Sequence, residues 1–172
     1  RRRLDCAAQV DAWLATPVGV EALLAVQQPI VRALLPDASA MPSAQELVER
    51  CQSQGIPMAL VTSSSRVAVE FKSRPHPWLE QIRERVYGDD PDLAAGKPDP
   101  APFLLAAQRL GLNPQHCWAL EDSQAGSQSA HRAGCQVWLV NASGSSDPDF
   151  TTNPCEINSL AVVLKLLIST DG

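Results

Sequence analysis

The sequence predicts an α/β protein built on a doubly wound parallel sheet, and three observations carry that prediction. Short apolar runs at 57–61, 85–88, 117–120 and 136–140 have the length and composition of buried strands. Between them lie stretches with helical spacing that stop at Gly55, Gly111 and Gly134, residues suited to the left-handed turn that closes a helix. Strand and helix alternate along the chain, which implies parallel strands joined by right-handed crossovers.

Taken in order, residues 1 to about 35 place Val10, Trp13, Leu14, Val18, Val20, Leu23, Leu24, Val31 and Leu34 at mixed helical spacing, so helices are expected there, broken near Pro17 and ending near Pro36. A helix over 42–54 then leads through Gly55 into the strand at 57–61. The next helix spans 63–71, with Ser63 or Ser64 as candidate cap, since a side-chain oxygen there satisfies an orphan N–H. Pro75 and Pro77 interrupt the segment beyond that helix. Strand 85–88, helix 98–110, strand 117–120, helix 123–133 and strand 136–140 complete the alternation. Residues 141–156 read as a turn-rich connection, and 160–168 as a final helix closing one face.

Composition narrows the class. At 172 residues the chain accommodates one substantial core, or a core with part of a small second domain. Apolar residues make up 45 % and charged residues 19 %, and the formal net charge of −5 argues against a nucleic-acid surface. Cys6, Cys51, Cys117, Cys135 and Cys155 are an odd number without C-x-x-C spacing, which fits reduced thiols in a cytoplasm better than a disulfide scaffold or zinc cluster. Cys117 and Cys135, beside expected strands, read as core hydrophobes. No apolar run reaches the roughly 18 residues expected of a spanning helix.

The chemistry concentrates at strand ends. Glu121 and Asp122 come after one apolar run, Thr62, Ser63, Ser64 and Ser65 after another, and Lys97 sits between Gly96 and Pro98 in a polar loop. Parallel sheets gather such residues in the crevice outside the carboxyl ends of their strands. A phosphate monoester needs hydrogen-bond donors, a fixed cation and usually Mg²⁺, which Thr62 and Ser63, Lys97 and Asp122 respectively suit. Mg²⁺ takes only one or two protein carboxylates, so Asp122 with Glu121 behind it suffices on this side. Each feature alone has a plainer reading: Asp122 as a helix cap, Lys97 as a solvated loop lysine, and Arg66, Lys72, Arg74 and His76 as a solvated basic face. His116 and His131 lack metal-ligand spacing and read as surface residues.

The order of strand-terminal Thr62, then Gly96-Lys97-Pro98, then Glu121-Asp122-Ser123-Gln124-Ala125-Gly126 resembles motifs two, three and four of the haloacid dehalogenase-like hydrolase superfamily, over about residues 42–141. The stretch around Gly55 to Ser64, with Gly88-Asp89-Asp90-Pro91-Asp92 before the lysine, is most similar to the β-phosphoglucomutase and pseudouridine-5′-phosphatase subgroup. The resemblance implies a Rossmann-type core with a helical cap. It further implies that Thr62 and Lys97 are catalytic, that Thr62, Ser63 and Lys97 bind phosphate, and that Asp122, supported by Glu121, holds Mg²⁺.

It also implies a first motif, Asp-x-Asp-Gly, after a central strand between those ending at Thr62 and near Glu121. Asp90-Pro91-Asp92 has the spacing but sits in the polar loop before Lys97, Asp147-Pro148-Asp149 sits in a Ser/Gly-rich turn region, and Ser169-Thr170-Asp171-Gly172 puts Ser at the attacking position. The chain opens on Arg1-Arg2-Arg3 without Met, so the first motif is expected upstream, and residues 1–172 alone are expected to be inactive. The division expected is 1–40 as the remainder of the cap and 41–172 as a core lacking its first strand. The resulting reading is a cytoplasmic, monomeric, Mg²⁺-dependent phosphatase that hydrolyses a small sugar phosphate or nucleoside monophosphate through an aspartyl phosphate, with no nucleic-acid or membrane partner. Its rivals are a sugar phosphomutase and a non-catalytic phosphate-binding domain. Lys97→Ala and Asp122→Ala are each expected to abolish activity in the complete protein while sparing the fold.

Overall fold

The computed structural model describes residues 3–34, 38–145 and 151–169. Helices α1 (Arg3–Trp13) and α2 (Val20–Leu34) form the N-terminal hairpin, joined where Asp11 Oδ1 accepts the N–H groups of Val18 and Gly19 at 2.8 Å each. The break lies near Pro17, where the sequence places it. Then come α3 (Ala44–Ser53), β1 (Ala59–Val61), α4 (Arg66–Ser73), β2 (Glu84–Val86), α5 (Ala101–Leu110), β3 (Trp118–Glu121), α6 (Gln124–Ala133), β4 (Gln136–Ser145), β5 (Cys155–Ile157) and α7 (Leu160–Ser169).

All pairings are parallel. β1 pairs with β2, with Ala59 opposite Glu84 and Val61 opposite Val86, and a second sheet has the order β3-β4-β5. Among the described residues, β1 has no strand partner besides β2, and β3 none besides β4. The two-residue period of a strand decides what each face buries. Ala119, Cys135 and Val137 pack with Phe103 of α5 and Ala130 and Ala133 of α6. Trp138, Cys155 and Ile157 pack on the opposite side with Leu47 of α3 and Leu160 and Val163 of α7. Val86, Leu93 and Ala106 form a third cluster, and Val61 touches both it and the α6 cluster, which ties β1 to β3 through side chains where no strand hydrogen bonds run. Helices on both faces of parallel strands make this the doubly wound α/β class.

The helix stops fall where glycine predicts them: Gly55, Gly111 and Gly134 have positive φ, and the latter two are C-caps. Three details depart from the sequence reading. β4 continues past Val140 to Ser145, and β5 occupies part of the span expected to be a turn-rich connection. The cap of α4 is Ser65, not Ser63 or Ser64. The Asp147-Pro148-Asp149 and Thr170-Asp171-Gly172 segments lie outside the described residues.

Candidate active site

β1 and β3 end at one cleft, of about 360 Å³, lined by Val61, Thr62, Ser63, Lys97, Leu120, Glu121, Asp122 and Ser123. Thr62, Ser63, Lys97, Glu121 and Asp122 are the residues the sequence singles out, and the fold brings all five together. Ser123 joins them without having been assigned a role from sequence. Its signal was the small polar residue directly before a helix, since its Oγ caps α6 by accepting the Gly126 N–H at 3.1 Å.

The loop after β1 is held in a hydroxyl-rich turn. Thr62 N–H donates to Val86 O at 3.0 Å, and Thr62 Oγ1 accepts the Ser64 N–H at 3.1 Å, which leaves its hydroxyl proton for another acceptor. Gly88, at the exit of β2, donates its N–H to Ser64 O at 2.8 Å, and a Cβ at Gly88 would stand 2.2 Å from Ser63 O. That close approach pins Ser63 and Ser64 in the turn, so α4 begins later than expected. Ser65 Oγ then accepts the Ala68 N–H, and Asp89 Oδ1 accepts the Arg66 N–H at 2.8 Å.

Lys97 reaches between the two sheets. Its Nζ donates to Val61 O at 3.1 Å and to Glu121 Oε1, and sits 5.0 Å from the centre of the Phe103 ring. The Lys97 and Glu121 side chains are 9 % and 8 % exposed, so the pair is buried and each partner is the other's compensation. Glu121 Oε2 accepts from Ser123 Oγ at 3.3 Å. Gly126 makes room for that carboxylate, because a Cβ there would lie 1.8 Å from Glu121 Oε2. Past Lys97 the chain is fastened to α6: Ser129 Oγ donates to Asp99 O, and Arg132 Nη1 to Pro98 O at 3.1 Å.

The two acids thus have different environments. Glu121 is buried and committed to Lys97 and Ser123, whereas Asp122 is exposed and lines the cleft. Hard oxygen donors from a carboxylate and neighbouring hydroxyls suit Mg²⁺, which keeps most of its waters. Among the described residues, no group of three or more His, Cys, Asp or Glu side chains is placed to hold a metal ion. The donor chemistry here fits one carboxylate and waters rather than an all-protein cage.

Before Lys97, Asp90 is gripped by Arg109, whose hydrogen bonds hold the Asp90 carboxyl below the usual carboxylate range while Asp90 raises the Arg109 guanidinium. Of the basic stretch, Arg66 lies over the Tyr87 ring at 5.0 Å, Lys72 donates to Ser64 Oγ at 3.1 Å, Arg74 lies over Phe71 at 5.3 Å and His76 contacts Ala38 O at 3.0 Å; none lines the cleft. His116 and His131 are exposed. All five cysteines are free; burial pushes the Cys135 thiol up to about 11, consistent with an inert core residue, and Cys117 packs half-buried beside it. No described helix is long and apolar enough to cross a membrane.

Comparison with known proteins bears on the family and the fold. The chain is 41 % identical over 108 residues to hexitol phosphatase A of Escherichia coli, covering 60 % of this chain and 47 % of that one. It is 34 % identical over 128 residues to a probable pseudouridine-5′-phosphatase of Drosophila melanogaster, covering 72 % of this chain and 55 % of the relative. It thus spans about half the length of these two curated relatives. A crystal structure of CbbY from Rhodobacter sphaeroides in complex with phosphate superposes with a TM-score of 0.67 at 25 % identity, over 85 % of this chain and 66 % of that one. A putative β-phosphoglucomutase from Thermotoga maritima shares the fold, with a TM-score of 0.72 at 24 % identity over 91 % of this chain and 73 % of that one. The family model for haloacid dehalogenase-like hydrolases matches residues 7–134, well over half the chain, and the chain belongs to that family.

Proposed function

We propose that this chain belongs to a Mg²⁺-dependent phosphatase acting on a small phosphate monoester. The observation that carries the reading is the convergence of Thr62, Ser63, Lys97 and Asp122 on one polar cleft at the strand ends. In this assignment the Thr62 hydroxyl and the Ser63 N–H donate to the phosphate oxygens. Lys97, held by Glu121, sets its ammonium beside them and offsets charge that builds during transfer. Asp122 holds Mg²⁺, with Glu121 and Ser123 fixing the turn behind it. When bound, the metal supplies further positive charge to the phosphoryl oxygens.

The attack itself needs a free carboxylate. Glu121 is committed to Lys97 and Asp122 is assigned to the metal; the nucleophile is proposed, from the family resemblance, to be the leading aspartate of an Asp-x-Asp-Gly motif on a segment outside residues 1–172. It would take the phosphoryl group as an aspartyl phosphate while the substrate's alcohol leaves with a proton from the motif's second Asp, and water, giving a proton back to that Asp, would then release inorganic phosphate and restore the carboxylate. Residues 1–40 are assigned as the remainder of a cap, and 41–172 as the core. Names of relatives, among them hexitol phosphatase, glycerol-3-phosphatase and pseudouridine-5′-phosphatase, support polyol, sugar or nucleoside monophosphates as the substrate class. Unbridged cysteines support a reducing, cytoplasmic setting, and a monomer is the assembly proposed.

The test is to assay the complete natural polypeptide on a panel of polyol, sugar and nucleoside monophosphates, with Mg²⁺ and with chelator. Metal-dependent release of inorganic phosphate is expected. Isomer formation without release would replace the reading with a phosphomutase, and phosphate binding without turnover would reduce it to a binding domain.

A further inference from the structure

Lys97 works in the proposed site only if the loop over 88–97 delivers its ammonium to one place. That loop leaves β2 at Gly88, which is clamped against Ser63 and Ser64, and ends at Lys97, whose Nζ must meet both Val61 O and Glu121. Most of its own hydrogen bonds are local: Asp90 N–H to Tyr87 O at 3.2 Å, Leu93 N–H to Asp90 O at 3.1 Å, and Asp92 N–H to Asp90 Oδ1 at 3.1 Å. Beyond these turns the loop meets its surroundings through Leu93, packed with Val86 and Ala106, and through Asp89 Oδ1, which accepts the Arg66 N–H.

Arg109, on the last turn of α5, adds a directional polar connection to β2 and α5. Its Nη1 donates to Arg85 O of β2 at 2.8 Å and to Asp90 Oδ2 at 2.7 Å, and its Nη2 donates to Asp90 Oδ1 at 2.8 Å and Asp92 Oδ2 at 2.9 Å. One planar guanidinium therefore fastens a strand, a helix end and two carboxylates of the loop. The Asp90 side chain is only 4 % exposed and Arg109 is 25 % exposed, so water competes weakly for the inner bonds. Downstream of Lys97 the backbone is already tied to α6 through Asp99 O and Pro98 O. Arg109 is the matching anchor upstream.

We infer that Arg109 is a positioning residue that aims Lys97 by anchoring the 88–97 loop to β2 and α5. This deepens the phosphatase reading and rests on it for its kinetic consequence only. A lysine at 109 keeps the charge but loses the flat fork that meets Asp90 with two bonds, so Arg109→Lys is the informative variant. A misplacement of about 1 Å at a reacting group costs on the order of 100-fold in rate, so a partial loosening should cost about tenfold.

The experiment monitors the lysine ammonium resonances of the ¹⁵N-labelled complete polypeptide, with Lys97 assigned by the signal lost in Lys97→Arg, alongside hydrolysis of p-nitrophenyl phosphate. In Arg109→Lys the Lys97 resonance should shift or broaden, and kcat should fall about tenfold with KM within about threefold. The exposed Arg83→Gln should change neither. An unmoved Lys97 resonance in Arg109→Lys would overturn the inference. If wild type hydrolyses nothing, the phosphatase reading fails while the resonance still decides the role of Arg109. Should Arg109→Lys not fold, the near-isosteric Asp90→Asn, which weakens the same clamp from the other side, must move the Lys97 signal in its place, and no movement there would overturn the inference.

Discussion

Lys97 and Asp122 both belong to the proposed phosphate site, yet their burial separates what their loss does. Removing the Lys97 ammonium leaves the Glu121 carboxylate buried without its counter-charge, and breaking a buried pair from one side costs about 3–5 kcal/mol. Lys97→Ala is therefore expected to lower stability as well as activity, which revises the expectation that the fold is spared. Asp122 is exposed, so Asp122→Asn should change stability by no more than about 0.5 kcal/mol while lowering Mg²⁺-dependent turnover by roughly 100-fold or more. Thermal unfolding and phosphate release on the same preparations check both; equal stability loss in the two variants would contradict the assigned environments. The two residues were legible in the sequence because Asp122 sits in a short pattern at a strand end and Lys97 in another, between Gly96 and Pro98. Their different burial was not, because the Glu121 partner comes from 24 residues away and meets it only once β1 and β3 come together.

At the scale of elements, two glycines let the segments of the proposed site approach closely. Gly88 meets the backbone of Ser63, an atom group that cannot rotate away, whereas Gly126 meets a side-chain carboxylate that could turn only by leaving Lys97. Gly88→Ala should therefore displace the loop that carries Thr62 and weaken binding of inorganic phosphate. Gly126→Ala should instead disturb the Glu121–Lys97 pair and lower stability, by about 1–3 kcal/mol for an overpacked site. Isothermal titration with phosphate and urea unfolding distinguish them; unchanged phosphate affinity in Gly88→Ala would contradict the close packing. Helix ends were readable in advance because Gly111 and Gly134 supply the conformation a C-cap needs. β5 was not, since Cys155–Ile157 is three residues long, too short for a two-residue period to register, and is preceded by Thr152, Asn153 and Pro154, all turn formers. What makes it a strand is its neighbours: Cys155 pairs with Trp138 and is fully buried beneath α7.

Across the whole molecule, the sequence announced parallel strands with helices on both sides and located the cleft, and the family resemblance separated β1 from β3 by a further strand; that Lys97 and Val61 bridge the two sheets emerges only from packing. With so few strand hydrogen bonds shared between the halves, polar clamps such as Asp90–Arg109 take on weight in holding β2, α5 and the 88–97 loop together. The clamp gives stability a definite pH dependence. Because Arg109 holds the Asp90 carboxyl below its unfolded value of about 3.9, the unfolded chain binds more protons than the folded one between those two pKa values. Stability therefore rises with pH through that window. The contribution is fully present above the unfolded pKa and is lost as pH falls through the folded one. Asp90→Asn removes this titration, so the difference in urea midpoint between wild type and Asp90→Asn should be largest near neutrality and shrink steadily as the pH is lowered below about 4. Arg109 stays charged over the whole range and adds no second window. A difference that stayed constant from neutral to strongly acidic pH would show that Asp90 titrates alike in folded and unfolded chains, and that the Arg109 clamp does not favour its ionised form.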